Sequence, residues 1–352
     1  TSIFIIVGTF FYIIAHKEWF GKWYTYAAIL IAVLCFLPVL YWNYQNDFIS
    51  FTFHGDRVEV TDRLFRLDSF ATELGGQILY NNPFNFGIIV AALISFFRKK
   101  PVFRDNRLQL LVYIALPLIL IFLVISLFRS TLPHWSGPAY VTLIPLAALL
   151  LRHFTKCGRL GKVLPNALKW SLGFMVIFLT VALLQIFNGT FLNKGIDQKT
   201  GKRLGIKDIT LDMYGWKQLG IGFSKLYHAD LQTGMMDSTA VIISHRWFPA
   251  ANIDYYVARD LDIKVQTMAP LERTHKYAWI TGFRGGFHKG MDAYFISSSY
   301  DYQNPHHLYD DYFTLDKADT IPIYRNKVLV EYYYIWRMRD LKKLPPTDWQ
   351  PR

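Results

Sequence analysis

The sequence predicts an α-helical polytopic membrane domain over residues 1–187, a linker over 188–207 and a small α/β domain over 208–352. Long uncharged apolar runs fill the first half, and a bilayer core of roughly 30 Å needs about 20 apolar residues for each helical span. The loops between those runs alternate between Lys and Arg clusters and loops where acids balance the bases. Because Lys and Arg accumulate on the cytoplasmic side, this alternation is typical of a chain that crosses a membrane repeatedly.

The composition agrees with this division of the chain. Of the 352 residues, 52% are hydrophobic and 17% are aromatic, and the formal net charge is +12. An excess of bases is also common in nucleic-acid-binding proteins, but here several cations lie in short loops beside apolar runs, which membrane topology explains better. We therefore expect no nucleic-acid partner. Cys35 lies in an apolar run and Cys157 in a basic loop, so no disulfide framework is predicted.

Six apolar segments are predicted to be membrane helices. Those at 108–128 and 164–187 are long enough to span a bilayer, whereas those at 84–97 and 137–151 are short and need extension or a thinner bilayer. Residues 1–14 are apolar from the start and lack the basic region and cleavage site of a signal peptide, so we expect a truncated N-terminus. The full set is 1–14, 25–41, 84–97, 108–128, 137–151 and 164–187.

The charges of the loops predict an orientation. The loops 15–24, 98–107 and 152–162 are basic and are predicted to be cytoplasmic. The loop 42–83 has more acids than bases and 129–136 has a single Arg, so both are predicted to lie outside. One further span places the C-terminal domain outside as well.

The outer loop 42–83 contains a predicted amphipathic helix. Its apolar residues recur at helical spacing, while Arg66 and Glu73 fall on the opposite face. Such a helix either lies on the membrane surface or packs on the membrane bundle, and the sequence favours neither. The apolar residues are Leu64, Leu67, Ala71, Leu74 and Ile78.

The C-terminal half alternates strand-like and helix-like segments. Residues 239–244 and 292–298 are short apolar runs typical of strands, and 248–258 is compatible with a helix. Residues 327–337 are rich in β-branched and aromatic residues, which predicts another strand. Alternating strands and helices indicate an α/β domain.

Two polar clusters are predicted at the outer ends of spans, at 42–57 and 129–138. Arg and His side chains there can bind the phosphate of a lipid headgroup, and Trp can stack on the face of a sugar ring. The alternative is an ordinary interfacial belt of aromatic and cationic residues. The spans themselves hold almost no ionisable residue apart from Lys169, which weakens a transporter interpretation. The clusters contain Trp42, His54, Arg57, Arg129, His134 and Trp135.

No soluble-enzyme motif competes with this interpretation. The sequence contains no Walker loop, no GxGxxG after a strand, no GxSxG and no HExxH. The histidines of the C-terminal domain lack metal-ligand spacing, and we expect them at the surface. They are His228, His245, His275, His288, His306 and His307.

The order of several blocks resembles the C-terminal two-thirds of bacterial glycosyltransferases of family 39. These GT-C enzymes are similar to protein O-mannosyltransferases and to the aminoarabinose transferase of lipid A. None of the blocks is a catalytic signature by itself; their order and the matching topology carry the resemblance. The blocks are PVLYWNYQNDFISFTFHGDR (38–57), RSTLPHWSGPAYVTLIPLAALLL (129–151), DMYGWKQLG and FPAANIDYYVARDL.

The resemblance implies a GT-C-like fold, truncated at the N-terminus, in a bacterial inner membrane, with the C-terminal domain periplasmic or extracellular. Such enzymes transfer a sugar from a polyprenyl-phosphate carrier to a lipid, glycan or protein acceptor, among membrane lipids. Because the leaving group is a lipid phosphate, cations are needed to stabilise the charge of the transition state. The acceptor hydroxyl needs a carboxylate as its base. The substrate-binding residues implied here are Arg57, His54, Arg129, His134 and Trp135.

The family's base lies in the first outer loop, upstream of this chain, so a fragment of this extent is expected to be inactive. Asp56 and Glu59 are acids of the outer loop, but no family match supports either as the base. No cofactor is evident, and a divalent cation is left open. The rival interpretations are a non-catalytic membrane scaffold or receptor with an outer partner-binding domain, and a transporter.

Overall fold

Helices occupy the first half of the chain and a mixed sheet forms in the second, as the sequence predicts. The computed structural model describes residues 2–58, 65–103, 105–156, 163–191, 204–205 and 208–349. The chain divides into two compact units, Thr1–Leu179 and Thr180–Arg352. Most of the predicted linker 188–207 lies outside the described residues.

Each predicted apolar segment forms a helix. The described helices of the first half are α1 (Ser2–Ala15), α2 (Trp23–Gln45), α3 (Ile49–Val58), α4 (Leu67–Tyr80), α5 (Pro83–Phe97), α6 (Asn106–Ser126), α7 (Gly137–Lys156) and α8 (Val163–Asn188).

Several of these helices are long and apolar enough to cross a membrane. Within the described ranges four qualify alone: Trp23–Gln45, Asn106–Ser126, Pro133–Phe154 and Asn166–Asn188. The pair α4 and α5 qualifies together, with a bend of 99° between them. At that bend Asn82 has φ 60°, and its side chain accepts a hydrogen bond from the Phe84 N–H at 3.1 Å. Because of this bend, α4 and α5 form either a broken span or a re-entrant loop, so the structure leaves open how the short segment 84–97 matches the bilayer.

Small residues allow the helices of the first unit to pack closely. α6 packs against α1 and α7, and α5 packs against α7. Ala92 of α5, Ala115 of α6 and Leu143 of α7 are fully buried at these contacts. The resulting bundle holds the connection between α6 and α7 at one end of its helices.

Helix α4 has the predicted amphipathic pattern but presents the opposite face to the protein. Its buried residues are Ser69, Glu73 and Gln77, whereas Leu67 and Leu74 are exposed. Helix α4 packs against α5 and α6 with Glu73 on its buried face, so of the two placements that the sequence left open it takes the one on the bundle. The physical reason is that hydrogen bonds satisfy the buried polar groups, while the outward apolar face suits a lipid surrounding.

The second unit is an α/β unit built on one mixed sheet. Within the described residues, the strand order is β2-β1-β3-β5-β4. β1 is parallel to β2 and β3, and β5 is antiparallel to β3 and β4. The strands are β1 (Val241–Ser244), β2 (Val265–Thr267), β3 (Ala293–Ser298), β4 (Thr314–Arg325) and β5 (Val328–Arg339).

Helices cover both faces of this sheet. They are α9 (Trp216–Thr233), α10 (Trp247–Ile253), α11 (Leu271–Thr274), α12 (Tyr277–Phe283) and α13 (Pro305–Tyr309). Phe223 of α9 packs with Ile242 on one face, and Tyr309 of α13 packs with Phe295 on the other. The predicted strands 239–244, 292–298 and 327–337 and the helix at 248–258 are confirmed in position.

Candidate functional site

Three of the predicted site residues lie on one short segment, the α6–α7 connection (residues 127–136). Arg129 and Trp135 are half-buried and His134 is exposed. The connection ends in a turn of 3-10 helix, Pro133–Ser136, in which the Ser136 hydroxyl donates to the Pro133 carbonyl at 2.9 Å. His54 and Arg57 lie on α3, and their side chains lie outside the description. Their convergence with Arg129 and His134 therefore stays a prediction.

The α6–α7 connection is held against α4. The Arg66 N–H donates to the Leu127 carbonyl at 2.7 Å. A Cβ atom at Gly76 would lie 2.2 Å from Cγ of Pro133, so only glycine permits this approach. At the C-terminal end of α4, the rings of Tyr80 and His134 lie 6.0 Å apart. Backbone and ring contacts thus fix the position of the connection at several points.

A buried polar network lies between α4, the connection and α7. The Gln77 amide donates to Oε1 of Glu73 at 2.8 Å, and the Thr131 hydroxyl donates to Oε2 of Glu73 at 2.7 Å. The Tyr140 hydroxyl donates to Oε1 of Gln77 at 2.6 Å. Glu73 and Gln77 have no exposed surface. Both Glu73 oxygens thus have a partner. The hydrogen bond from Thr131 to Glu73 anchors the α6–α7 connection to α4.

Sequence reasoning missed this network although a signal was present. Ser69, Glu73 and Gln77 are spaced four residues apart, which places them on one helical face. A polar stripe of this kind beside apolar spans indicates an inward-facing surface, since charged residues within membrane segments usually face the bundle interior.

The arrangement is suited to binding an anion at one end of the spans. Arg129 offers a planar fork of donors and His134 an exposed ring nitrogen, both on a segment held by α4. The Trp135 ring lies 5.6 Å from that of Phe122, with which it is in contact. An interfacial belt would place the same residue types here, and the geometry agrees with both interpretations.

A cavity of the first unit lies at the other end of α6. Its volume is about 950 Å³, and Phe96, Phe103, Lys99 and Gln109 are among its lining residues. Its walls are largely apolar, and it does not include the α6–α7 connection. The predicted site is thus a surface on a connection, not this cavity.

The histidines of the second unit differ in exposure. His228, His306 and His307 are exposed as expected, and His306 lies 2.8 Å from a carboxylate oxygen of Asp310. The expectation was wrong for His245, which is 3% exposed because it directly follows the buried strand β1. Among the residues that the structure describes, no group of three or more His, Cys, Asp or Glu side chains could hold a metal ion.

Comparison of the chain with protein-family models, with curated proteins and with solved structures finds no match.

Proposed function

We propose that the chain is part of a glycosyltransferase of the GT-C type. In this proposal the enzyme transfers a sugar from a polyprenyl-phosphate donor to a lipid, glycan or protein acceptor on the outer face of a bacterial inner membrane. The observation that carries the proposal is the α6–α7 connection, where Arg129 and His134 occupy a segment fixed by the buried Glu73. A fixed cationic surface at the end of membrane helices is what a lipid phosphate requires.

The chemistry follows from the charge of the leaving group. Negative charge builds up on the carrier phosphate as the sugar leaves, and fixed donors lower the energy of that transition state. In the proposal Arg129 and His134 supply the donors, and Trp135 borders the lipid interface. His54 and Arg57 belong to this site through the family resemblance.

The rival functions have less support. A transporter usually places ionisable residues along its spans. Within the described part of the first unit, Glu73 is the one buried carboxylate, and it lies at the end of the bundle that carries the connection. A non-catalytic scaffold leaves unexplained why the connection that carries Arg129 and His134 is anchored to α4 at Leu127 and Thr131.

The first prediction concerns transfer. Arg129→Ala and His134→Ala in the complete gene product should each lower the rate of sugar transfer by about ten- to a hundredfold. A contact between a charged donor and a phosphate contributes about 1.5–3 kcal/mol when it acts in the transition state. Transfer from a radiolabelled polyprenyl-phosphate sugar is measured in purified membranes, with thermal melting as the folding control.

The matched control is Arg152→Ala, an exposed arginine near the other end of α7. Its rate should equal that of the wild type. Wild-type rates in both the Arg129 and His134 variants would remove the donor-site assignment and favour the interfacial belt.

The second prediction concerns orientation. With Cys35 and Cys157 replaced by Ser, a Cys in place of exposed His228 should react with a membrane-impermeant maleimide in spheroplasts, and a Cys in place of Arg98 should not. The reason is the excess of Lys and Arg in 98–107, which favours the cytoplasm. Labelling at 98 with protection at 228 would reverse the proposed topology.

A further inference from the structure

The second unit contains a cavity at the carboxyl ends of its central parallel strands. Its volume is about 480 Å³, and it is lined by residues at the ends of β1 and β3 and at the start of β5. After β1 the chain continues to β2, toward one edge of the sheet. After β3 it continues to β4 and β5, toward the opposite edge. In α/β sheets this reversal opens a crevice in which ligands bind.

The cavity collects polar side chains from separate segments. His245 and Arg246 follow β1, Asp301 follows β3, Glu331 lies on β5, and Asp212 precedes α9. Arg246 forms an ion pair with Asp301 across the gap between the loops after β1 and β3. Asp212 and Glu331, 119 positions apart, thus meet in one place, which composition and spacing could not predict.

Two buried polar atoms of this lining have no hydrogen-bond partner among the described residues. They are Nε2 of His245, whose residue is 3% exposed, and Oε2 of Glu331, whose residue is 2% exposed. Because a buried polar atom without a partner is unfavourable, such atoms in a cavity indicate a bound polar group. Because both residues line the cavity, a ligand there can satisfy both.

The ionisation of these two groups restricts the ligand. The pKa of Glu331 is raised to about 8, mainly by burial. The nearby Asp212 carboxylate also raises this pKa, whereas hydrogen bonds with Ser298 and Tyr333 lower it. The pKa of His245 is lowered to about 4, mainly by burial. The positive charges of Arg246 and Arg273 also lower this pKa, whereas the Asp301 carboxylate raises it. At neutral pH both side chains are therefore uncharged.

The charges of the walls exclude an anionic ligand. Arg246 is already paired with Asp301, and Asp212 adds a further carboxylate without a paired cation among the lining residues. A phosphate would meet more negative than positive charge. An uncharged ligand with several hydroxyls fits better, because each hydroxyl donates and accepts at once and can face a protonated carboxyl, a neutral imidazole or a carboxylate.

We propose that this cavity binds an uncharged sugar residue, whose hydroxyls hydrogen-bond to His245, Glu331 and Asp212. The volume lies within the range of small-ligand sites, and aromatic rings of Trp216 and Tyr300 line the cavity beside the polar groups. This site lies within the second unit and goes beyond the proposed transfer reaction. Its occupancy is measurable without a polyprenyl-phosphate donor.

The test is saturation-transfer NMR on the complete protein in detergent, with glucose, galactose, mannose and N-acetylglucosamine as probes. At least one sugar should give a signal, and Glu331→Leu and Asp212→Asn should each weaken its binding tenfold or more. Glu331→Gln keeps a neutral hydrogen-bonding group and should retain binding. His228→Ala, at an exposed position on α9, should bind as the wild type does.

Raising the pH supplies a second readout. Wild-type binding should weaken as the pH rises through about 8, because Glu331 then ionises beside Asp212, whereas Glu331→Gln should show no such change. Thermal melting reports folding, and Asp212→Asn decides the result if Glu331→Leu fails to fold. No signal from any sugar, equal binding by Asp212→Asn, or binding of inorganic phosphate that depends on Arg246 would each overturn the proposal.

Discussion

Replacing Arg325 by Met is expected to lower the free energy of unfolding of the second unit by about 3–5 kcal/mol. Arg325 has no exposed surface and forms an ion pair with Asp208, which is 4% exposed. The Gln185 amide and the Thr210 hydroxyl also donate to the Asp208 carboxylate. Removing Arg325 leaves a buried carboxylate without its cation, and the desolvation of that charge is no longer offset.

The matched control is Arg339→Met. Arg339 pairs with Asp316, but both side chains are more than 40% exposed, so the change should cost no more than about 1 kcal/mol. Urea unfolding followed by proteolysis within the second unit measures both variants. Equal stabilities of the two variants would show that the buried pair contributes no more than a surface pair.

The Arg325 variant should also change the response to acid. Burial raises the pKa of Asp208, but hydrogen bonds from Arg325 and Thr210 outweigh that effect and leave its pKa below the ordinary value. A lowered carboxyl pKa stabilises the folded state above about pH 4 and loses that contribution as the pH falls further. Without Arg325 the remaining effect of burial raises the Asp208 pKa, so the acid-unfolding midpoint should move to higher pH.

Replacing Glu73 by Ala is expected to lower the stability of the first unit by about 2–4 kcal/mol. The change removes the acceptor for both the Gln77 amide and the Thr131 hydroxyl, and each buried donor left unpaired costs roughly 1–3 kcal/mol. Glu73→Gln keeps one oxygen acceptor and should lie between Ala and the wild type. Unfolding of detergent-solubilised protein by sodium dodecyl sulfate, followed by tryptophan fluorescence, measures the difference.

Thr72→Ala is the matched control for Glu73. Thr72 is the neighbouring residue on α4, is exposed and donates only to the Asp68 carbonyl of its own helix. It should change stability by less than about 0.5 kcal/mol. If Glu73→Ala were no less stable than Thr72→Ala, the network would not anchor the α6–α7 connection.

The long apolar helices of the first half were predictable and the orientation of α4 was not. The runs that became α6 and α8 are long and apolar, with Lys169 as their one charged residue, so burial in any apolar surrounding selects a helix. For α4, the spacing predicted an apolar face and a polar face, but it left open whether the helix lies on the membrane surface or packs on the bundle. In the structure Leu67 and Leu74 face outward, and Glu73 faces the bundle.

In the second unit, strand length and composition decided what could be predicted. β5 is rich in β-branched and aromatic residues and was predicted. β4 contains three charged residues in its first half and Pro322 in its second half, and strand propensity disfavours both. Such residues are tolerated here because β4 lies at the edge of the sheet. β2 has only three residues, and its pairing with β1 is a long-range contact.

The candidate site could be predicted in part. Arg129, His134 and Trp135 lie within seven residues of each other, so their common connection follows from the predicted spans. Glu73 approaches that connection only through the packing of α4. His245 was expected at the surface, because the spacing of the histidines gives no signal of its burial at the end of β1.

Photocrosslinking with a polyprenyl phosphate tests the central claim most directly. A photoactivatable analogue, added to the complete protein in membranes, should label peptides of the α6–α7 connection. Excess polyprenyl phosphate should abolish the labelling and the uncharged polyprenol should not, because the phosphate supplies the contact with Arg129 and His134. Labelling that polyprenol competes equally well, or that maps away from residues 127–136 and is unchanged in Arg129→Ala, would contradict a donor-phosphate site at this connection.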